Sequence, residues 1–200
     1  MLYTELKELE INIKYLDLGG GLGIQYKEED PPHPKEFGEA LSRALSGYPL
    51  TLILEPGRVI AGNAGVLITK VIYTKETGNK NFLIVDAGMN DLIRPSLYGS
   101  YHRIAEVTPR GRALKKYDVV GPICESGDFL AKDRDLPEIK AGELLCVFSA
   151  GAYGFVMSSQ YNSRPRAAEV MVSGEEFHLI REREKYRDLV YLEDSIPFRS

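Results

Sequence analysis

What most constrains this chain is a strand–helix–strand pattern in its N-terminal third that cannot stand by itself. Ile11–Leu18 (INIKYLDL) is rich in β-branched and large apolar residues and stops at a run of glycines. From Pro34 to Ser46, Phe37, Ala40, Leu41, Ala44 and Leu45 recur on one helical face, and Gly47 is a natural stop. Leu50–Leu54 (LTLIL) then reads as a second buried strand, ending at Glu55-Pro56-Gly57-Arg58. Two strands joined through a helix lie parallel. A parallel pair is stable only when further strands and helices cover both of its faces. No further strand–helix pair follows, so the unit is expected to be the end of a larger α/β sheet or barrel whose beginning the chain lacks.

From about Gly65 the pattern changes to short, apolar or alternating runs: Val66–Tyr73, Phe82–Val85, Leu144–Phe148, Ala168–Val172 and Phe177–Ile180. Thr77-Gly78-Asn79 and Ser173-Gly174-Glu175 suit tight hairpin connections. The expectation is α/β followed by all-β: residues 1–64 in the α/β unit and 65–200 in a mostly antiparallel sheet or barrel. Arg181–Arg187 (REREKYR) reads as a solvated helix or turn. A net charge of -4 argues against nucleic acid or a membrane surface as partner, since both call for a basic excess. The longest apolar runs are too short for a membrane span, and the charged N-terminus lacks a secretory core. Cys124 and Cys146 show no metal-ligand spacing, and no metal is expected. A reduced, cytoplasmic protein is the simplest expectation.

Both strands of the first unit end in residues that suit an anion. Gly19-Gly20-Gly21-Leu22-Gly23 lets backbone N–H groups approach a phosphate, with a following helix N-terminus adding its dipole. Glu55-Pro56-Gly57-Arg58 adds an arginine at the same edge, where α/β barrels place their active sites. A glycine run alone is more often a tight turn; the second loop beside it weakens that reading in favour of the anion. Further polar groups stand out in the β half: Arg94-Pro95-Ser96-Leu97-Tyr98-Gly99, Cys124-Glu125-Ser126-Gly127-Asp128, Gly151-Ala152-Tyr153-Gly154-Phe155, and the run Tyr161–Arg166. Each also has a structural reading, as buried thiol, surface arginine or core-edge tyrosine. His33, His102 and His178 are scattered and suggest surface or structural roles.

In order and spacing, LDLGGGLGI, EPGR, VDAGMNDLIRPSLYGSYH, GPICESGD and GAYGFVMSSQYNSRPRAAEV resemble the C-terminal half of the diaminopimelate decarboxylases. The likeness runs from about Ile13 to Val172. It implies the last strands of a (β/α)8 barrel followed by a Greek-key-like antiparallel β-domain. It implies pyridoxal 5'-phosphate as cofactor, held by Gly20, Gly21, Glu55, Pro56, Gly57, Arg58 and Tyr153, with Glu55 facing the pyridine nitrogen. It implies meso-2,6-diaminopimelate as substrate, with Arg58, Arg94, Tyr98 and Tyr153 gripping it and Glu125 meeting its distal ammonium. Cys124 is implied as the proton donor to the α-carbon. Cys124 and Glu125 would enter from the other subunit of a homodimer. Arginines for a distal carboxylate and a glutamate for the adjacent amine suit a site that rejects substrates lacking either group. A thiol can deliver a proton near neutral pH.

The same family carries its cofactor on a lysine far upstream of the glycine run. Lys14 does not match that motif, so the chain is expected to be partial and inactive by itself. Two other readings stay open at this stage. One is a decarboxylase of another basic amino acid, of the ornithine or arginine type. The other is a non-catalytic relative that binds a partner through its β half.

Overall fold

The computed structural model describes residues 2–194. Met1 and residues 195–200, the outermost parts of the two expected domains, lie outside the described residues. Two short elements precede the glycine run: helix α1 (Leu2–Glu8) and strand β1 (Tyr15–Asp17). Helix α2 (Pro34–Leu45) and strand β2 (Thr51–Ile53) follow, and β1 pairs with β2 in parallel, Leu16 opposite Leu52. The expected strand–helix–strand unit is therefore present. Its first strand is shorter than Ile11–Leu18, because the ladder extends only as far as the three residues of β2. Helix α2 closes its own start: His33 caps Lys35 N–H (3.2 Å) and Glu36 reaches back to His33 N–H (3.2 Å). It begins well after the glycines, which therefore do not open directly into a helix.

After helix α3 (Arg58–Ala61) and a 3-10 turn (Gly62–Ala64) the chain enters its main sheet. The strands are β3 (Leu67–Thr77), β4 (Lys80–Val85), β5 (Ile104–Glu106), β6 (Leu114–Val120), β7 (Phe129–Pro137) and β8 (Leu144–Val147). Their order is β5-β8-β3-β4-β6-β7, mixed because β4 and β6 run parallel while the other neighbours are antiparallel. Long β3 does two jobs. Leu67–Lys70 pairs with β8 and Val71–Thr77 pairs with β4, with a register shift between Val71 and Tyr73. Asp86 secures this handover by accepting from Thr69 Oγ1 (2.7 Å) and Lys70 N–H (2.8 Å). The bend curls the sheet until its outer strands β5 and β7 touch, so the sheet is nearly a closed barrel. Alternation fills the inside: Val71, Leu83, Val85, Val119, Leu130, Leu145 and Val147 are all fully buried, joined by Leu92 from the loop after β4.

The expected β-rich half is borne out as a mixed, barrel-like sheet. Strands β5, β6 and β7 and helix α4 (Arg94–Tyr98) were not anticipated; β6 (LKKYDVV) and β7 (FLAKDRDLP) are too charged to announce themselves. Strands β9 (Glu169–Ser173) and β10 (Glu176–Arg181) form the expected hairpin, with Gly174 at φ 61 in its turn. The charged run after it is partly structural. Helix α5 covers Tyr186–Val190, and Glu184 accepts from Arg166 Nε (2.8 Å), Arg166 N–H (2.9 Å) and Gln160 Nε2 (3.0 Å).

The parallel unit and the sheet are joined by a backbone crossing. Ala150 N–H donates to Gly65 O (2.8 Å) and Gly151 N–H to Gly62 O (3.1 Å). A Cβ on Gly65 would come within 2.7 Å of Gly151 N, and one on Gly151 would collide with the Ala61 carbonyl. Asn63 Nδ2 adds bonds to Ser149 Oγ (2.8 Å) and to Gln25 O (2.8 Å), tying the glycine-run loop to the same joint.

Two outcomes follow for stability. Gly151→Ala should cost about 1–3 kcal/mol by forcing the crossing apart, read as a lower Tm; an unchanged Tm would mean the joint is slack. Glu184 is held at about 2 rather than 4.5, first by its hydrogen bond from Arg166. A depressed carboxyl stabilises the fold above its unfolded value, and that contribution is lost as pH falls from 4.5 towards about 2. Glu184→Gln should therefore lower Tm at pH 7 with a deficit that shrinks through that window; a deficit independent of pH would contradict the pairing.

Candidate active site

The two loops that leave β1 and β2 lie against each other. The ladder continues past the strands, with Leu18 N–H donating to Ile53 O (3.2 Å) and Glu55 N–H to Gly19 O (2.9 Å). Gly19 and Gly21 take left-handed backbone, φ 66 and φ 77. Between them, a Cβ on Gly20 would sit 2.6 Å from Glu55 O, so only glycine lets the loops close. The result is a bare strip of main chain at the strand ends, continued by exposed Glu55, Pro56 and Gly57 and then by Arg58, the first residue of α3. The Tyr153 hydroxyl lies against Gly57, 3.5 Å from where a Cβ would stand. Tyr153 itself is left-handed at φ 58, an uncommon state for a bulky residue, imposed by the turn that follows the crossing.

Beside this strip, two guanidinium groups approach the ring of Tyr26. Arg58 lies 5.7 Å and Arg94 5.8 Å from its ring centre. Arg94, at the start of α4, also lies 5.7 Å from the rings of both Tyr98 and Tyr153. Among the described residues no carboxylate pairs with Arg58 or Arg94; Arg94 donates only to Ser100 Oγ, at 3.4 Å. Arg94 Nε and the Tyr26 hydroxyl are buried without a partner among the described residues. Buried polar atoms in native proteins are nearly always bonded, so this unspent capacity marks a place for a ligand. Two cations set among aromatic faces, next to open backbone donors, suit an anion such as a phosphate or a carboxylate.

His102 completes the wall behind Tyr26. It is fully buried, packs edge-on to Tyr26 at 5.4 Å, and has Nδ1 2.9 Å from Phe148 O. Burial pushes its pKa below the usual histidine value, and Arg94 and Arg134 push the same way. The ring is therefore neutral, with Nδ1 carrying the proton it donates.

Cys124 and Glu125 sit elsewhere, on the exposed loop between β6 and β7. Buried Asp128 shapes this loop by accepting from Ile123 N–H (2.6 Å) and from Met89 N–H (2.7 Å). A Cβ on Gly127 would lie 2.9 Å from Ser96 Oγ, so the loop rests on the middle of α4. Glu125 accepts from Gly127 N–H (3.2 Å) and from the Tyr161 hydroxyl (3.3 Å). Among the described residues no hydrogen bond or ion pair joins Cys124 or Glu125 to Arg58, Arg94 or the glycine run.

The structure thus gathers Gly20, Gly21, Glu55, Pro56, Gly57, Arg58, Arg94, Tyr98 and Tyr153 at one edge and leaves Cys124 and Glu125 on a neighbouring loop. Sequence reasoning missed Tyr26, whereas His102 takes one of the two roles expected of it, a structural one. A tyrosine in an irregular loop has no periodicity to betray it. Its nearness to the glycine run was the only available signal.

Residues 11–151 match the family described as pyridoxal-dependent decarboxylase, C-terminal sheet domain. The diaminopimelate decarboxylase of Aquifex aeolicus is 56% identical over 190 residues, covering 94% of this chain and 45% of that protein. A crystal structure of an Aquifex aeolicus protein superposes with a TM-score of 0.91 at 54% identity, covering 98% of this chain and 49% of that one. Diaminopimelate decarboxylase from Helicobacter pylori, solved in complex with L-lysine, gives a TM-score of 0.85 at 44% identity, covering 96% of this chain and 48% of that one. The chain spans about half the length of the relatives it matches.

An anion site built this way should bind inorganic phosphate or pyridoxal 5'-phosphate. Arg58→Ala and Gly20→Ala should each weaken binding about tenfold or more, the first by removing a charged donor and the second by parting the loops. Calorimetric titration checks this, and unaltered affinity in both variants would contradict it.

Proposed function

The chain belongs to the pyridoxal-dependent decarboxylases, of which it carries the C-terminal sheet domain, and on that premise we propose that it serves the decarboxylation of meso-2,6-diaminopimelate to L-lysine. The observation that carries this reading is the pair Arg58 and Arg94, facing the same ring without carboxylate partners and set beside the glycine strip. The identities with diaminopimelate decarboxylases support the choice of substrate. In the same reading, residues 1–64 are the last part of a (β/α)8 barrel and residues 65–200 a Greek-key-like β-domain. The protein works in the cytoplasm.

The strip and its neighbours fit pyridoxal 5'-phosphate. Gly20 and Gly21 would offer main-chain donors to its phosphate, Arg58 a charged fork, and Glu55 a carboxylate for its ring nitrogen; Pro56 and Gly57 shape the loop and Tyr153 covers it. When bound, this cofactor supplies the electron sink that lets an amino acid lose CO2. Arg58, Arg94, Tyr98 and Tyr153 hold the substrate's distal carboxylate end and exclude water from it. Neutral His102 stands behind Tyr26 without adding charge. Glu125 receives the distal ammonium, and Cys124 gives its thiol proton to the α-carbon once CO2 has left. Among the described residues no hydrogen bond or ion pair joins Cys124 or Glu125 to the arginines of their own chain, although their loop rests on α4; the resemblance favours a homodimer in which each copy's β6–β7 loop completes the other's site.

CO2 release from meso-diaminopimelate, compared with ornithine and arginine, tests the assignment. The protein should prefer diaminopimelate, and Cys124→Ala should lower kcat by about a hundredfold or more with little change in KM. Equal or better turnover of ornithine would move it to the other branch of the family, and an unaltered kcat in Cys124→Ala would remove the thiol from the reaction.

A further inference from the structure

Tyr161 has no role in the reading above, yet the fold constrains it closely. It opens a 3-10 turn, Tyr161–Ser163, whose next two residues both take left-handed backbone: Asn162 at φ 61 and Ser163 at φ 55. Asparagine tolerates that region and serine visits it rarely. Two such residues in succession persist only where their surroundings hold them. Here both flanks are pinned to the loop after β4. Asn90, 1% exposed, accepts Ser159 N–H on its carbonyl (2.9 Å), and its side-chain amide donates to Ser159 O (3.5 Å). On the far side Arg164 donates from Nε to Asn90 Oδ1 (3.1 Å) and from its other end to the Asp86 carbonyl.

What this clamp achieves is the placement of one hydroxyl. Tyr161 donates to Glu125 Oε2 (3.3 Å), while Gly127 N–H donates to Glu125 Oε1 (3.2 Å). Each oxygen of the carboxylate is thus fixed by one donor, leaving its remaining lone pairs free for a cation. An exposed hydrogen bond between side chains adds little to folding, so stability does not account for a strained turn held by partly exposed Arg164 on buried Asn90. Orientation does. We propose that Tyr161 is a positioning residue, whose hydroxyl fixes Glu125 in the rotamer that receives the distal ammonium of the substrate. The inference rests on the reading of Glu125 as the ammonium's partner. The charge of Glu125, and then the hydrogen bond to it, push the Tyr161 phenol above its usual value, so the donor keeps its proton at neutral pH.

Two measurements test this. In the full chain, NMR titration of the Tyr161 phenol should show a fall in pKa on Glu125→Gln; an unmoved titration would overturn the contact. In the holoenzyme, Tyr161→Phe should raise KM for meso-diaminopimelate about tenfold, with kcat within about twofold. It should add nothing further in a Glu125→Gln background. A normal KM in Tyr161→Phe beside a raised KM in Glu125→Gln would overturn the positioning role and leave the role of Glu125 intact. A normal KM in Glu125→Gln would overturn both.

Discussion

The structure depends on two lengths of main chain lying almost in contact. Residues 61–65 and 150–151 cross so closely that neither Gly65 nor Gly151 could carry a Cβ. Through that crossing the strand ends of the parallel unit meet the turn after β8, and Tyr153 arrives beside Gly57. A larger side chain at the joint would separate the glycine strip from the arginine cluster, and neither half holds the site alone. The left-handed backbone at Ser149 and Tyr153, φ 58 in each, is the local conformational cost of making so tight a turn there.

Electrostatics then define what the joined surface can hold. Arg58 and Arg94 converge on Tyr26, and the nearest histidine is kept neutral by burial, so the cluster stays cationic without a carboxylate partner among the described residues. Elsewhere some arginines are paired with carboxylates, Arg112 with Glu143 at 2.6 Å and Arg166 with Glu184, while Arg103 and Arg134 stack singly on Phe148 and Tyr101. Such pairing makes a guanidinium structural. Around Tyr26 two guanidinium groups, neither paired with a carboxylate among the described residues, converge on one ring, which distinguishes this cluster from the single stacked arginines elsewhere.

Much of this was legible in the sequence because glycines, prolines and alternating apolar residues report backbone requirements directly. The parallel unit, the hairpin turn at Gly174 and the two glycine-bearing loops at the strand ends all rest on such residues. Strands β6 and β7 were not legible, because the adjacent charges Lys115-Lys116 and Lys132-Asp133 break the alternation of each, and pairing with neighbours supplies what propensity does not. The glycine run was rightly placed at a strand end, whereas the helix assumed to support it caps itself at His33. Tyr26 and Tyr161 lie in irregular segments, where only tertiary contacts show their use. Glu184 looked like one more surface charge until its tie to Arg166 was visible.

The proposed function requires the glycine strip and its arginines to receive a phosphate-bearing cofactor and a dicarboxylate substrate, completed by the β6–β7 loop of a second copy. A crystal structure of the holoenzyme with pyridoxal 5'-phosphate and L-lysine tests it most directly. The account predicts the phosphate against Gly20, Gly21 and Arg58, the ligand among Arg94, Tyr98 and Tyr153, and the second copy's Cys124 and Glu125 facing it. A phosphate bound away from both loops, or a site completed by the same chain's Cys124, would contradict it.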